Sequence, residues 1–247
     1  MSDPITYPTP IKEIMEIKSE GRGAIILEGN TTDRLISTEK GFEEPMNMIH
    51  MIFSALADQD YQLGHISLTR GFNPVYPPTR MKKTEHKSSP FPRPKGVPWN
   101  DPASFISQFI PILESKKHKT MLILNGADLL VPEIDTAMMS SEQLRLLNVL
   151  IELGLSDSFR QSDNFLILNA LQGSVNRALL KSGAFRKISV PLPDEKMRHE
   201  FLDYLGKHAR FSSTMPEDMN TDELARLTNG CRLIDIEGLV KKCQRNQ

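Results

Sequence analysis

Short apolar runs that alternate with helical patterns constrain this fold more than any other feature of the sequence. Turn residues or helical segments separate each run from the next. The runs occupy residues 24–27 (AIIL), 65–69 (HISLT), 121–124 (MLIL), 165–168 (FLIL) and 188–190 (ISV). Strands that are apolar on both faces are typical of a parallel sheet, because helices must cover each face. The sequence therefore predicts an α/β fold with a parallel sheet flanked by helices.

Helical periodicity fills the intervals between these runs and then continues alone to the end of the chain. Helical spacing of apolar residues recurs in residues 46–57, 102–113 and 141–155, and later in residues 194–208, 221–228 and 234–242. Asp101 and Pro102 suit the N-cap and first turn of one of these helices. We therefore predict an α/β domain over residues 1–192 and a small helical domain over residues 193–247.

Residues 74–98 break the pattern and predict an extended loop inserted in the first domain. Seven of these 25 residues are proline, which removes backbone donors, and six basic side chains accompany one acid. The side chains that suit a partner are Arg80, Lys82, Lys83, Lys87, Arg93 and Trp99. A loop of this length is usually functional or disordered, so partner binding and a solvated flexible loop stay open as alternatives.

Composition excludes several classes of protein. Thirty basic and 31 acidic side chains give a net charge of −1, which argues against a surface built throughout for nucleic acid or anionic membrane. The two cysteines, Cys231 and Cys243, provide neither a disulfide framework nor a zinc motif. No apolar run approaches the roughly 20 residues that span a bilayer. We therefore expect a cytoplasmic protein without a membrane-spanning segment or a bound metal.

The loop after residues 24–27 is where a phosphate site is expected, because ligands of parallel sheets bind at the carboxyl ends of the strands. A phosphate-binding P-loop needs a glycine-rich turn, a lysine and a Ser or Thr for magnesium. The sequence contains neither GxxxxGK[ST] nor GxGxxG. The loop consists of Gly29, Asn30, Thr31, Thr32, Asp33 and Arg34, with an acid where an anion would lie. It is either a degenerate nucleotide pocket or a simple turn.

Several segments resemble the AAA+ ATPase superfamily. Residues 121–131 (MLILNGADLLV) resemble the Walker B strand, and residues 165–170 (FLILNA) resemble the sensor-1 strand. Residues 178–198 (ALLKSGAFRKISVPLPDEKMR) are similar to the stretch that carries arginine fingers and opens the helical lid. Residues 228–239 (TNGCRLIDIEGL) resemble a lid turn and helix. The resemblance implies a P-loop-NTPase-like sheet with a C-terminal lid.

Position by position, the resemblance implies that catalytic groups are missing. Asn125 stands where the family has a magnesium-coordinating Asp, and Gly126 stands where it has the Glu that polarises water. Asn brings no charge, and Gly cannot act as a base. The sensor-1 polar residue falls at Asn169 or Ala170. Asp128 either belongs to this degenerate site or bonds a loop.

The resemblance also implies a face toward a neighbouring subunit. Ala184 stands at the first finger position, and Arg186 or Lys187 stands at the second. A finger of this kind contributes about 10³–10⁵ in rate. In the family, the segment after the second strand faces the central pore of a ring, which is where the resemblance puts residues 74–98.

The sequence therefore favours a catalytically degenerate AAA+ module that is a structural or regulatory element of an oligomeric ATPase assembly. Hydrolysis by this chain is not expected, and no cofactor is expected. The implied partners are other AAA+ subunits or domains in a homo- or hetero-oligomer. One alternative is a divergent AAA+ ATPase that still binds Mg-ATP. The other is a clamp-loader-like accessory subunit that contacts nucleic acid.

Overall fold

The computed structural model describes residues 9–35, 45–56, 61–67, 71–75, 101–117, 119–171, 173–207 and 220–245. Within these ranges the chain forms two compact units. The larger unit comprises Thr9–Thr31 and Ile52–Val190, and the smaller contains the described parts of Thr32–Met51 and Pro191–Gln247. The smaller unit therefore combines the helical tail with a segment from the first fifth of the chain.

Eight strands lie in the described residues. They are β1 (Ala24–Gly29), β2 (Arg34–Leu35), β3 (Met46–Asn47), β4 (Gln62–Ser67), β5 (Gly71–Val75), β6 (Thr120–Asn125), β7 (Phe165–Asn169) and β8 (Arg186–Val190). Six form one sheet in the order β5–β4–β6–β7–β1–β8, and β2 pairs antiparallel with β3. Strands β4, β6, β7, β1 and β8 run parallel, which confirms the predicted α/β fold.

Strand β5 is an edge strand that the sequence did not predict. It pairs antiparallel with β4, and Pro74 lies opposite Gly64. Proline lacks an N–H group, and an edge strand tolerates it because one side of its backbone needs no partner strand. Pro74 and Val75 therefore belong to this strand rather than to the predicted loop, and residues 76–98 of that loop lie outside the described residues.

Helices connect the strands and make up the tail. They are α1 (Thr9–Ser19), α2 (Met48–Leu56), α3 (Pro102–Ser107), α4 (Ile110–Leu113), α5 (Ala127–Leu130), α6 (Ser141–Leu155), α7 (Asp157–Arg160), α8 (Ala178–Lys181), α9 (Glu195–Lys207), α10 (Thr221–Leu227) and α11 (Leu233–Arg245). In the part of the chain that is described, none of them has the length and hydrophobicity needed to cross a bilayer.

The core of the larger unit forms on both faces of the sheet. Ile25 and Ile26 are neighbours on β1 and point to opposite faces, yet both are fully buried. Phe109 from the segment between α3 and α4 and Leu147 and Leu150 from α6 belong to one apolar cluster with the sheet. Burial on both faces explains why these strands are apolar along their whole length.

The predicted helix over residues 102–113 divides into α3 and α4. The Asp101 carboxylate accepts a 2.9 Å hydrogen bond from the Ser104 amide, which confirms the predicted N-cap. Pro111 lies in the first turn of α4, where its missing N–H costs nothing. In a continuous helix the same proline would leave the Ser107 carbonyl without its donor.

Arg198 ties the tail helices of the smaller unit together. Its guanidinium is buried and donates to the Pro193 carbonyl at 2.6 Å and the Ala225 carbonyl at 2.9 Å. Around it lies a small apolar core that includes Phe201 and Leu233. The position that the AAA+ resemblance assigns to the start of the lid thus carries a buried, multiply bonded arginine.

Candidate functional site

The carboxyl ends of β1, β6 and β7 meet at one edge of the sheet. Asn169 is the register partner of both Leu27 on β1 and Asn125 on β6. Ligands of open parallel sheets bind at this kind of edge. The fold therefore brings together two of the residues, Asn125 and Asn169, that the sequence assigned to a degenerate nucleotide site.

Asn125 and Asn169 form a neutral amide pair. The Asn169 Nδ2 atom donates to Asn125 Oδ1, and the Asn169 carbonyl accepts a 2.9 Å hydrogen bond from the Gly126 amide. Asn169 is buried, and its Oδ1 atom has no hydrogen-bond partner among the described residues. The pair can position a polar group but brings no charge to a cation.

Gly126 adopts a conformation that only glycine tolerates well. Its φ of 78° and ψ of 31° lie in the left-handed region, where it precedes the first turn of α5. A side chain here costs about 1–2 kcal/mol. A glutamate at this position, which the AAA+ resemblance would require for catalysis, is therefore disfavoured by the backbone as well as absent.

Asp128 bonds the loop that follows β7. Its carboxylate is buried and accepts hydrogen bonds of 2.9 Å from the amides of Leu171 and Gly173. Both oxygens therefore hold backbone groups of this chain. This geometry agrees with the interpretation of Asp128 as a residue that bonds a loop.

The turn after β1 uses its own backbone donors. The Asn30 amide donates to the Val190 carbonyl at 2.8 Å, and the Thr31 amide donates to the Gly29 carbonyl at 2.9 Å. Thr31 Oγ1 donates to the Ala170 carbonyl at 2.6 Å. Gly29 has a φ of 103°, and a Cβ there would lie 2.4 Å from the Val190 oxygen. A P-loop needs free amides at this position, so Gly29–Thr31 behaves as a packed turn.

Asp33 caps the last helix of the smaller unit. Its buried carboxylate accepts hydrogen bonds from the amides of Leu233 at 3.0 Å and Ile234 at 2.8 Å. Arg232 Nη1 adds a 3.4 Å contact to Thr32 Oγ1. The N-terminus of a helix carries unpaired amides and a partial positive charge, which suits an anion. The anion at α11 is thus a carboxylate of the chain itself.

One ion pair links β2 to α11, and a second lies within α11. Arg34 Nε lies 3.4 Å from Glu237 Oε2, and Lys241 also contacts the Glu237 carboxylate. Burial opposes ionisation of Glu237, but the hydrogen bonds and charges of Lys241 and Arg34 outweigh it and lower its pKa. Hydrogen bonds from Arg232 likewise lower the pKa of Asp235.

The helix that follows the β1 loop has a protein cap as well. Asn47 Oδ1 accepts a 2.8 Å hydrogen bond from the His50 amide in the first turn of α2. In P-loop proteins the corresponding turn binds phosphate. The first turn of α2 thus has a side-chain acceptor from this chain.

Glu28 is a buried acid that sequence reasoning missed. Its carboxylate accepts a 3.1 Å hydrogen bond from the Val175 amide and a 3.3 Å hydrogen bond from Ser174 Oγ, and it pairs with Lys187. Glu28 links β1 to β8 and to the segment before α8. The available signal was a charged residue directly after an apolar run and before Gly29.

Both finger candidates form ion pairs within this chain. Arg186 Nη2 lies 2.8 Å from Glu20 Oε2, and Lys187 pairs with Glu28. Both side chains are more than a third exposed on β8, which is an edge strand of the sheet. They can reach a neighbouring chain only by releasing these partners or by sharing them.

The partner candidates of the predicted loop lie outside the described ranges; they are Arg80, Lys82, Lys83, Lys87, Arg93 and Trp99. Within the described ranges, no group of three or more His, Cys, Asp or Glu side chains is arranged to hold a metal ion.

Part of the chain is similar in sequence to a known protein. No family model matches the chain. Over 88 residues, or 34% of its length, the chain is 36% identical to the vesicular-fusion protein SEC18 of Saccharomyces cerevisiae, an AAA+ ATPase. The match covers 12% of SEC18. Together with the parallel sheet and its flanking helices, this similarity supports an AAA+-like module with a P-loop-NTPase-like α/β fold.

Proposed function

We propose that this chain is a catalytically degenerate AAA+ module that acts as a structural or regulatory element of an oligomeric ATPase assembly. The proposal includes a cytoplasmic location, which the low cysteine content supports. The main observation that supports it is that the acid in the β1 loop already accepts hydrogen bonds from this chain. Asp33 follows the strand where a P-loop would bind phosphate, and its carboxylate is committed to the amides of α11.

The carboxyl edge of the sheet supports the same proposal. Asn125 and Asn169 bond each other, Gly126 is in a left-handed conformation, and both oxygens of Asp128 hold backbone amides. Magnesium-assisted phosphoryl transfer needs charged ligands and a group that orients the nucleophile. Apart from Asn169 Oδ1, the polar side-chain atoms named here bond other groups of this chain instead.

The assembly part of the proposal rests on the similarity to an AAA+ ATPase and on the finger candidates. Arg186 and Lys187 are exposed on an edge strand, and each is already paired with a carboxylate. If a neighbouring AAA+ subunit offers an anion that binds one of these side chains more tightly, that side chain would leave its carboxylate partner.

Thermal unfolding with and without Mg-ATP and Mg-ADP tests the nucleotide part. We expect no change in Tm at millimolar nucleotide. A ligand at 100 times its Kd stabilises by about 2.7 kcal/mol. For a chain of this size that is a shift of several degrees, at roughly 2–4 °C per kcal/mol. A clear shift would contradict the proposal.

Light scattering across a concentration series tests the assembly part. We expect self-association or association with an added AAA+ subunit, and we expect a double variant, Arg186→Ala with Lys187→Ala, to weaken it. Arg226→Ala, which removes an exposed ion pair with Glu195, is the matched control. A chain that stays monomeric alone and with every AAA+ subunit of its host would contradict this part.

A divergent ATPase that still binds Mg-ATP is the second candidate. It is favoured by Asn169 Oδ1, which is buried at the ligand edge without a partner among the described residues. If nucleotide raises Tm and Asn169→Leu abolishes the shift, this candidate replaces the first. The nucleic-acid alternative depends on residues 76–98, and nothing in the described ranges favours it.

A further inference from the structure

A cleft lies at the amino end of the sheet, opposite the edge described above. Its volume is about 260 Å³. The turn before β1, the end of α6, α7 and the segment before β8 line it. Ligand pockets for drug-sized molecules start near 300 Å³, so this cleft suits a smaller molecule.

Three arginines and one glutamate give the cleft a positive charge. Arg22, Arg160 and Arg186 line it together with Glu20, so the net charge of these side chains is +2. Glu20 pairs with Arg186 at 2.8 Å. Arg22 forms no ion pair with any acid in the described ranges. Three guanidinium groups around one small volume repel each other, and a bound anion would relieve that repulsion.

Arg160 is held in place and keeps donors to spare. Its Nε atom donates to the Gly154 carbonyl at 3.1 Å, and its Nη2 atom donates to the Gly183 carbonyl at 3.4 Å. A guanidinium has five N–H donors, so these two bonds fix its position without exhausting it. An arginine anchored in this way loses little side-chain entropy when it binds an anion.

The walls of the cleft are tightly packed. A Cβ on Gly23 would lie 2.0 Å from the Asn164 carbonyl oxygen, and a Cβ on Gly154 would lie 2.8 Å from the Ala184 Cβ. The buried rings of Phe159 and Phe185 complete the lining. The backbone segments that carry the arginines are therefore in close contact with neighbouring segments of the fold.

We propose that this cleft binds a small phosphoryl oxyanion, with Arg22 and Arg160 as its principal ligands. Arginine presents paired donors that match the oxygens of a phosphate, and a dianion balances the +2 charge of the lining. A carboxylate shares part of this chemistry but carries one charge per group. The proposal is independent of the nucleotide-free function above, since it concerns the opposite end of the sheet.

Isothermal titration with orthophosphate, pyrophosphate and citrate, each at the same ionic strength, tests the proposal. We expect both phosphates to bind, and we expect Arg22→Gln and Arg160→Gln each to weaken that binding about tenfold. Arg145→Gln is the control, because Arg145 is also an exposed arginine but lies nine residues before Gly154 on α6, where it pairs with Asp101. It should bind phosphate like the unchanged chain.

Three results would overturn the proposal. The first is no measurable binding of either phosphate by the full chain. The second is unchanged binding in both Arg22→Gln and Arg160→Gln, with circular dichroism confirming that both variants are folded. The third is binding of citrate without phosphate, which would assign the cleft to carboxylates instead. The two proposals fail separately, because a nucleotide-induced rise in Tm that persists in both Arg22→Gln and Arg160→Gln does not come from this cleft and would contradict only the nucleotide-free function.

Discussion

The carboxylate of Asp33 accepts a 2.8 Å hydrogen bond from the amide of Ile234, a residue 201 positions later in the chain. A second bond, from Leu233, completes the cap of α11. We expect Asp33→Ala to reduce the free energy of unfolding by about 2 kcal/mol, because it leaves buried helix amides without acceptors.

Asp33→Asn is the matched variant for this prediction. It keeps one acceptor oxygen and should lose less stability than Asp33→Ala. Hydrogen exchange of the first α11 amides, together with urea unfolding, measures both effects. Equal stability of Asp33→Ala and the unchanged chain would mean that the cap contributes nothing.

Alanine substitutions at two glycine positions should change the stability of the protein in opposite directions. We expect Gly126→Ala to destabilise by about 1 kcal/mol, because φ is +78° there. Gly238 lies within α11 with open space around a built Cβ. Gly238→Ala should therefore stabilise by up to about 1 kcal/mol, because alanine favours helix. Thermal unfolding of both variants checks the pair, and the same sign for both would contradict the assigned conformations.

Arg198→Met should be among the most damaging changes in the smaller unit. It removes hydrogen bonds to the Pro193 and Ala225 carbonyls and leaves those oxygens buried, at a cost of about 3 kcal/mol. Lys196→Met, in the first turn of the same helix, is the control because its side chain is 84% exposed. It should change stability by less than about 0.5 kcal/mol. Urea unfolding followed by circular dichroism distinguishes the two.

Acid should weaken α11. The folded-state pKa values of Asp235 and Glu237 are lowered, so the folded chain binds fewer protons than the unfolded chain at low pH. The contribution is present above the unfolded values of about 3.9 and 4.3 and is lost as the pH falls below them. Because Asp235 is exposed, and because the partners of Glu237, Arg34 and Lys241, are each about a third or more exposed, we expect at most about 1 kcal/mol from each pair. Glu237→Gln should flatten the dependence of unfolding free energy on pH in this range, and an unchanged slope would contradict the assignment.

One variant tests the expectation that this chain does not hydrolyse ATP. Asn125→Asp restores a carboxylate at the position where the AAA+ resemblance expects one, and its oxygen can still accept from Asn169. We expect phosphate release from Mg-ATP to stay at the level of a buffer blank, because the turn at Gly29–Thr31 still lacks free donors. Turnover in Asn125→Asp would show that one missing acid accounts for the loss.

The central strands could be predicted because their information is local. The runs at β1, β6 and β7 are apolar at every position, and burial on both faces requires that. The Asp101 cap was predictable for the same reason, since its acceptor lies three residues from its donor.

Other features depend on residues that are distant in the chain or on competing local signals. Nothing near Asp33 indicates that its partners are at 233 and 234, and nothing near Glu28 indicates a pairing with Lys187. The division between α3 and α4 did have a local signal, which was Pro111. The helical spacing of apolar residues on both sides of Pro111 nevertheless predicted one continuous helix.

The Asp33 cap also determines whether a dissolved anion can bind at the N-terminus of α11. A carboxylate that the fold holds in place binds within the same molecule, at an effective concentration set by the fold, whereas a dissolved ligand is limited to its own concentration. Free phosphate or nucleotide therefore cannot displace it by mass action. The start of α11 therefore keeps the same structure at low and at high cellular concentrations of phosphate and nucleotide.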